Sequence, residues 1–193
     1  MSAPRTLDIH THVLTEETMD LIRKDAPKVA PRLTAIDANS FVLEIAGTPY
    51  RPFPRGGFDI EHRFADMDAA EVDVQVLSAT PQSYLYDHEA SLAVACATIQ
   101  NDQIAKLVAA HPDRFLGIAT LPMQAPELAA AELRRAVRTL KLRGAMIGSN
   151  VMGRNLDHPD LEPLWAAASE LDVWKMRTMR TTPTHKIAFM RGT

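Results

Sequence analysis

Val72-Asp73-Val74-Gln75-Val76-Leu77-Ser78-Ala79 is a β-branched run that reads as a buried strand. A regular alternation follows it. The spacing predicts a long helix over 89–110, apolar at Leu92, Ala95, Cys96, Ile99, Ile104, Leu107 and Val108 and stopped by His111-Pro112. Phe115 to Ala119 reads as the next strand, and Pro126 opens a helix to about Leu140. Gly144 to Ile147 is a further strand, Pro159 opens a helix to about Leu171, and Leu171-Asp172-Val173 begins the strand after it. Buried, non-alternating strands separated by helices are parallel βα units. Neither a G-x-G-x-x-G nor a P-loop is present, which tips the reading from an open doubly wound sheet towards a (β/α)8 barrel.

Upstream, Arg5 to Ile9 forms a short strand leading into Leu7-Asp8-Ile9-His10-Thr11-His12. Residues two apart on a strand share a face, so His10 and His12 point the same way, with Asp8 just before them. Two such imidazoles suit one divalent metal ion. Two structural histidines would show the same spacing. Thr15 caps a helix to about Lys24, with Glu16 and Glu17 at its positive end. From Ala26 to Gly57 Pro and Gly break the helical pattern, and Ser40–Ile45 and Thr48–Phe53 flank Ala46-Gly47 as an inserted β-hairpin. Asp59 caps a helix to about Ala70.

The 193 residues are 46% hydrophobic and 23% charged with a net charge of −3, a composition that supports one sizeable core. No apolar run approaches the ~20 residues of a membrane span, and Met1-Ser2-Ala3-Pro4-Arg5 opens no signal peptide. The single Cys96 excludes an intramolecular disulfide and fits a reducing, cytoplasmic compartment. Within Ala93-Val94-Ala95-Cys96-Ala97 it reads as a buried small hydrophobe, not a nucleophile. Residues 174–193 hold five basic side chains (Lys175, Arg177, Arg180, Lys186, Arg191) and no acidic one. Lacking periodicity or a nucleic-acid motif, this tail gives no ground for a nucleic-acid partner.

Asp8-Ile9-His10-Thr11-His12 resembles the first-strand metal motif of the amidohydrolase superfamily. Three further blocks narrow the resemblance to its aminocarboxymuconate-semialdehyde decarboxylase branch. Arg63-Phe64-Ala65-Asp66-Met67-Asp68 with 72–81 resembles the second-strand block of that branch. His111-Pro112-Asp113-Arg114-Phe115 with Thr120-Leu121-Pro122-Met123-Gln124-Ala125-Pro126-Glu127-Leu128 resembles the third unit, and Gly144-Ala145-Met146-Ile147-Gly148-Ser149-Asn150 the fourth strand. The likeness covers about residues 6–173. It implies a (β/α)8 TIM barrel with a catalytic Zn2+ or similar divalent ion at the C-terminal ends of the strands, held here by His10 and His12. It further implies that Arg51, in the inserted hairpin, grips a substrate carboxylate through its planar fork, and that the protein is a homodimer. Ser78, Thr80 and Asn150 end strands facing the expected site and read equally as strand-end caps or substrate contacts.

The chain departs from the family after Val173. Trp174-Lys175-Met176-Arg177-Thr178-Met179-Arg180 replaces an apolar strand ending in a third metal-binding histidine. His185 is the later histidine, and its neighbours Thr184 and Lys186 do not match the family context. A full barrel takes about 250 residues. The expectation is therefore an incomplete barrel of four to five βα units over 1–173, followed by a non-matching basic tail over 174–193 at which the native reading frame is lost. The function expected of the parent protein is metal-dependent, non-oxidative decarboxylation of an unsaturated or aromatic carboxylic acid. Hydrolysis of an amide or lactone on the same fold is the rival reaction. A rival of another class is an inactive fragment lacking the later metal and acid–base residues.

Overall fold

A β-branched, wholly apolar face makes a strand only if partners cover it, and here both neighbours are strands of the same direction. The computed structural model describes residues 5–173 and the backbone of Lys186–Met190. β1 (Leu7–Val13) is followed by α1 (Glu16–Asp25), by an antiparallel sheet of β2 (Arg32–Ala35), β3 (Ser40–Ile45) and β4 (Thr48–Pro54), and by α2 (Ile60–Ala69). Then come β5 (Val74–Ala79), α3 (Ala90–Ala110), β6 (Phe115–Gly117), α4 (Pro126–Arg138) and β7 (Gly144–Gly148). The short pair β8 (Asn150–Val151) and β9 (Arg154–Asn155), α5 (Glu162–Glu170) and β10 (Lys186–Met190) complete the order.

β1, β5 and β6 pair in parallel in that order. A parallel bridge between Ala119 and Ala145, with the Ala119 N–H donating to the Gly144 carbonyl at 2.8 Å, attaches β7 beyond β6. Four βα strands thus stand side by side in chain order, the arrangement of consecutive barrel strands. β10 runs antiparallel along β7, Lys186 opposite Gly148 and Met190 opposite Gly144.

The helix starts follow from capping chemistry. Thr15 Oγ1 accepts the Thr18 N–H at 3.2 Å, and an Asp59 carboxylate oxygen accepts the His62 N–H at 3.1 Å. Ala46 and Gly47, at φ 49° and 78°, make the tight turn that twists β3 into β4. One core cluster lies between the parallel sheet and α4 and α5, around Leu77, Phe115, Leu121, Leu133, Ile147 and Leu164. A second fills the space between α1, α3 and the antiparallel sheet, around Met19, Ile22, Leu43, Ile45, Phe53 and Cys96.

Two expectations change. Leu171 and Asp172 do not begin a strand: they turn off the end of α5, with the Leu171 N–H on Ala167 and the Val173 N–H on Ala168. The core face of α3 runs through Ala93, Cys96, Ala97, Gln100, Asn101 and Ile104, leaving Leu92, Ala95, Ile99, Leu107 and Val108 half-buried beside it. Both amides on that face are satisfied internally. Asn101 Nδ2 donates to the Thr120 carbonyl at 3.0 Å and to Glu132 at 2.6 Å, and Asn101 Oδ1 accepts the Thr120 N–H at 2.8 Å. Gln100 Oε1 accepts from Ser83 Oγ at 2.7 Å.

Candidate functional site

β1 is the edge strand of the parallel sheet among the described residues, and its pairing slips once. Asp8 stands opposite Gln75 but Thr11 opposite Leu77, so β1 carries an extra residue, a bulge at Ile9-His10. The slip turns Asp8 to local work. One carboxylate oxygen accepts the His10 N–H at 3.1 Å and the other accepts from Gln75 Nε2 at 3.4 Å.

The two imidazoles do meet. The His10 and His12 rings lie 5.2 Å apart, centre to centre, at an interplanar angle of 79°. One ion with metal–nitrogen bonds of about 2.1 Å can bridge such a spacing. His10 is exposed and His12 half-buried. A cavity of about 240 Å³ opens onto both, walled by Tyr50, Phe53, Gly57, Arg63 and Asp66. Gly57 is required there, since a Cβ would stand 2.5 Å from the Phe53 ring. Among the described residues no group of three or more His, Cys, Asp or Glu side chains converges as a metal cluster. The donor chemistry of the two imidazoles suits a divalent ion. His185 lies outside the described residues.

Beneath His12 the site is held by polar contacts. Its Nδ1 lies 2.9 Å from Ser78 Oγ, and Ser78 Oγ donates to the Thr11 carbonyl at 2.6 Å. Ser78 is fully buried, its hydroxyl turned to Thr11 and His12. Arg63, buried on α2, donates through Nη2 to the His12 carbonyl at 2.5 Å and through Nη1 to Gln75 Oε1 at 2.7 Å. Burial pulls its guanidinium down to about 10, against the charges of Asp66 and Asp8, so it stays a cation at neutral pH. Sequence reasoning did not single out Arg63 or Asp66. The Arg63-Phe64-Ala65-Asp66 block was the available signal.

Arg51 is exposed on β4 and does not wall the cavity; Tyr50 and Phe53 on either side of it do. A second bulge explains this. Tyr50 pairs with Leu43 and Phe53 with Phe41, so three β4 steps match two on β3, and Arg51-Pro52 absorb the extra residue. Of the other strand-end residues, Thr80 is buried, and Asn150 Oδ1 accepts the Gly153 N–H at 2.8 Å to close the β8–β9 turn. Tyr86 Oη accepts the Gly148 N–H at 3.1 Å at the end of β7, and burial raises its phenol well above the usual range.

With this geometry in place, the amidohydrolase family model matches residues 7–184. The chain belongs to the amidohydrolase family. It is 32% identical over 192 residues to 2-amino-3-carboxymuconate-6-semialdehyde decarboxylase of Dictyostelium discoideum, covering 96% of this chain and 54% of that protein. It is 34% identical over 116 residues to γ-resorcylate decarboxylase of Rhodococcus jostii, covering 55% of this chain and 35% of that one. Among solved structures, 5-carboxyvanillate decarboxylase of Novosphingobium aromaticivorans, with bound manganese, superposes with a TM-score of 0.68 at 27% identity over 87% of this chain and 49% of that one. The chain spans about half the length of the curated relatives it matches most fully. No helix among the described residues is long and apolar enough to cross a membrane.

Proposed function

We propose that this chain is part of a metal-dependent, non-oxidative decarboxylase acting on an aromatic or unsaturated carboxylic acid. The observation that carries the proposal is the meeting of His10 and His12 on one cavity at the edge of the parallel sheet. The names of these three relatives, each a decarboxylase, support the reaction class. His10 and His12 would hold the ion, which when bound supplies positive charge that polarises the substrate. Zinc is the ion expected from the sequence; manganese is the one bound in the carboxyvanillate relative. Arg51, on the bulge one residue from the cavity wall, is assigned to a substrate carboxylate. In the reaction the carbon–carboxylate bond breaks, carbon dioxide leaves, and the electron pair stays on carbon until a proton arrives there. No described residue is assigned as that proton donor. A homodimer and a cytoplasmic location belong to this reading.

Two imidazoles are fewer than the three protein ligands a catalytic zinc usually keeps. Together with the half-length match, this favours a second reading for the 193 residues themselves: weak metal binding without turnover. The test is to supply the chain with Zn2+ or Mn2+ and measure carbon dioxide release from 2-amino-3-carboxymuconate semialdehyde, 2,6-dihydroxybenzoate and 5-carboxyvanillate. Release that disappears in His12→Ala supports the decarboxylase. Metal binding without release supports the second reading. Incorporation of labelled water into an amide or lactone substrate replaces both with a hydrolase.

A further inference from the structure

The neutral imidazole carries one proton, on Nδ1 or on Nε2, and only the other nitrogen offers a lone pair to a metal. At His12 the choice is made by Ser78. The Thr11 carbonyl oxygen can only accept, so the 2.6 Å contact to it takes the single hydroxyl proton of Ser78. Ser78 Oγ therefore faces His12 Nδ1, 2.9 Å away, as an acceptor, and Nδ1 must carry the ring proton. The remaining neighbour of Oγ, the Met146 sulfur at 3.5 Å, is a weak acceptor that does not compete for the hydroxyl proton. Full burial of Ser78 keeps bulk water from replacing either bond.

We infer that Ser78 is a positioning residue that fixes His12 as the Nδ1–H tautomer and so leaves the lone pair on Nε2, towards a metal ion. One hydroxyl joins two successive β1 residues to β5: it donates to the main chain of Thr11 and accepts from the ring of His12. Ring rotation and tautomer are set together, by a residue that acts through the ring. Partners of this kind typically change metal affinity by about 10- to 100-fold when removed. The inference rests on the metal reading of His10 and His12, and its test separates the two.

Long-range proton–nitrogen correlation spectra of the full chain, metal-free, report each histidine tautomer. His12 is expected as Nδ1–H. In Ser78→Ala it is expected to move towards the Nε2–H form, with His10 unchanged, while Ser78→Thr, which keeps the hydroxyl, holds the wild-type tautomer. Competition titration of Zn2+ against a chromophoric chelator should show about tenfold weaker binding in Ser78→Ala and recovery in Ser78→Thr. A wild-type His12 protonated on Nε2, or a tautomer unmoved in Ser78→Ala, overturns the inference. If Ser78→Ala does not fold, the wild-type spectrum decides alone. Absence of Zn2+ and Mn2+ binding alongside an Nδ1–H His12 overturns the metal reading and supports the role of Ser78.

Discussion

The guanidinium of Arg63, on α2, donates to the main-chain carbonyl of His12, on β1, at 2.5 Å. Fifty-one positions apart in sequence, the two are locked at the point where the imidazole leaves the strand. The same guanidinium holds Gln75, whose amide reaches Asp8. Replacing it with an apolar chain removes the hydrogen bonds to the His12 carbonyl and the Gln75 oxygen together. Arg63→Met should lower stability by about 2–4 kcal/mol in urea unfolding, since hydrogen bonds to charged groups contribute about 1.5–3 kcal/mol each. Arg63→Lys restores charge without the fork and should fall between. A loss under about 0.5 kcal/mol for Arg63→Met would show that the contact carries no stability.

Asn101 is the one side chain that satisfies both main-chain groups of Thr120, where the chain leaves β6. It is fully buried and also meets Glu132. Asn101→Leu has nearly the right volume but strands an N–H and a carbonyl in the core, while Glu132 keeps Arg135. Thermal unfolding should show a destabilisation of about 2–4 kcal/mol, against under about 1 kcal/mol for replacement of the exposed Asp102 by Ala.

At the start of α2, the Asp59 carboxylate accepts the His62 N–H and lies 3.0 Å from Arg55 Nε. That backbone bond foremost, with Arg55, holds its carboxyl below the ordinary aspartate range. Asp59→Ala should lose about 1 kcal/mol at neutral pH, the usual worth of such a cap. A carboxylate with a depressed folded pKa stabilises above its unfolded value and loses that contribution as pH falls through the folded one. The difference between wild type and Asp59→Ala, followed by urea unfolding, should therefore be constant above about pH 5 and shrink below about pH 4. A difference that grows on acidification would contradict this.

Cys96 is completely buried in the second core cluster, and burial pushes its thiol up to about 12, Gln100 opposing weakly. The native thiol should not react with a chromogenic disulfide at pH 8, and one equivalent should react on denaturation. Fast labelling of the folded chain would place Cys96 at the surface.

The fold was legible wherever burial imposes a pattern. Val74–Ala79, with its run of buried residues, declares a strand, and Thr15, Asp59 and Pro126 mark helix starts by their own chemistry. β2 went unread because Arg32–Ala35 is short and mostly exposed, so no face of it is apolar enough to mark a strand. Gln100 and Asn101 hid the true face of α3, because an amide pays for burial through distant partners, Ser83 and Thr120, that local sequence cannot name. At the site, the shared face of His10 and His12 was readable from their spacing, whereas the bulge in β4 at Arg51-Pro52 was not. A bulge is a matter of register between strands. Nothing within one strand reports it. The tail was expected to be unmatched over 174–193; five of its residues pair with β7, and the rest lies outside the described residues.

The reversed direction of β10 has one more consequence. A border already occupied by a strand running the opposite way ends the parallel series there. Growth of that series, by any segment from this or another molecule, is left to the far border, β1, where Leu7 and Ile9 stand half-exposed. The newcomer would lie alongside both imidazoles.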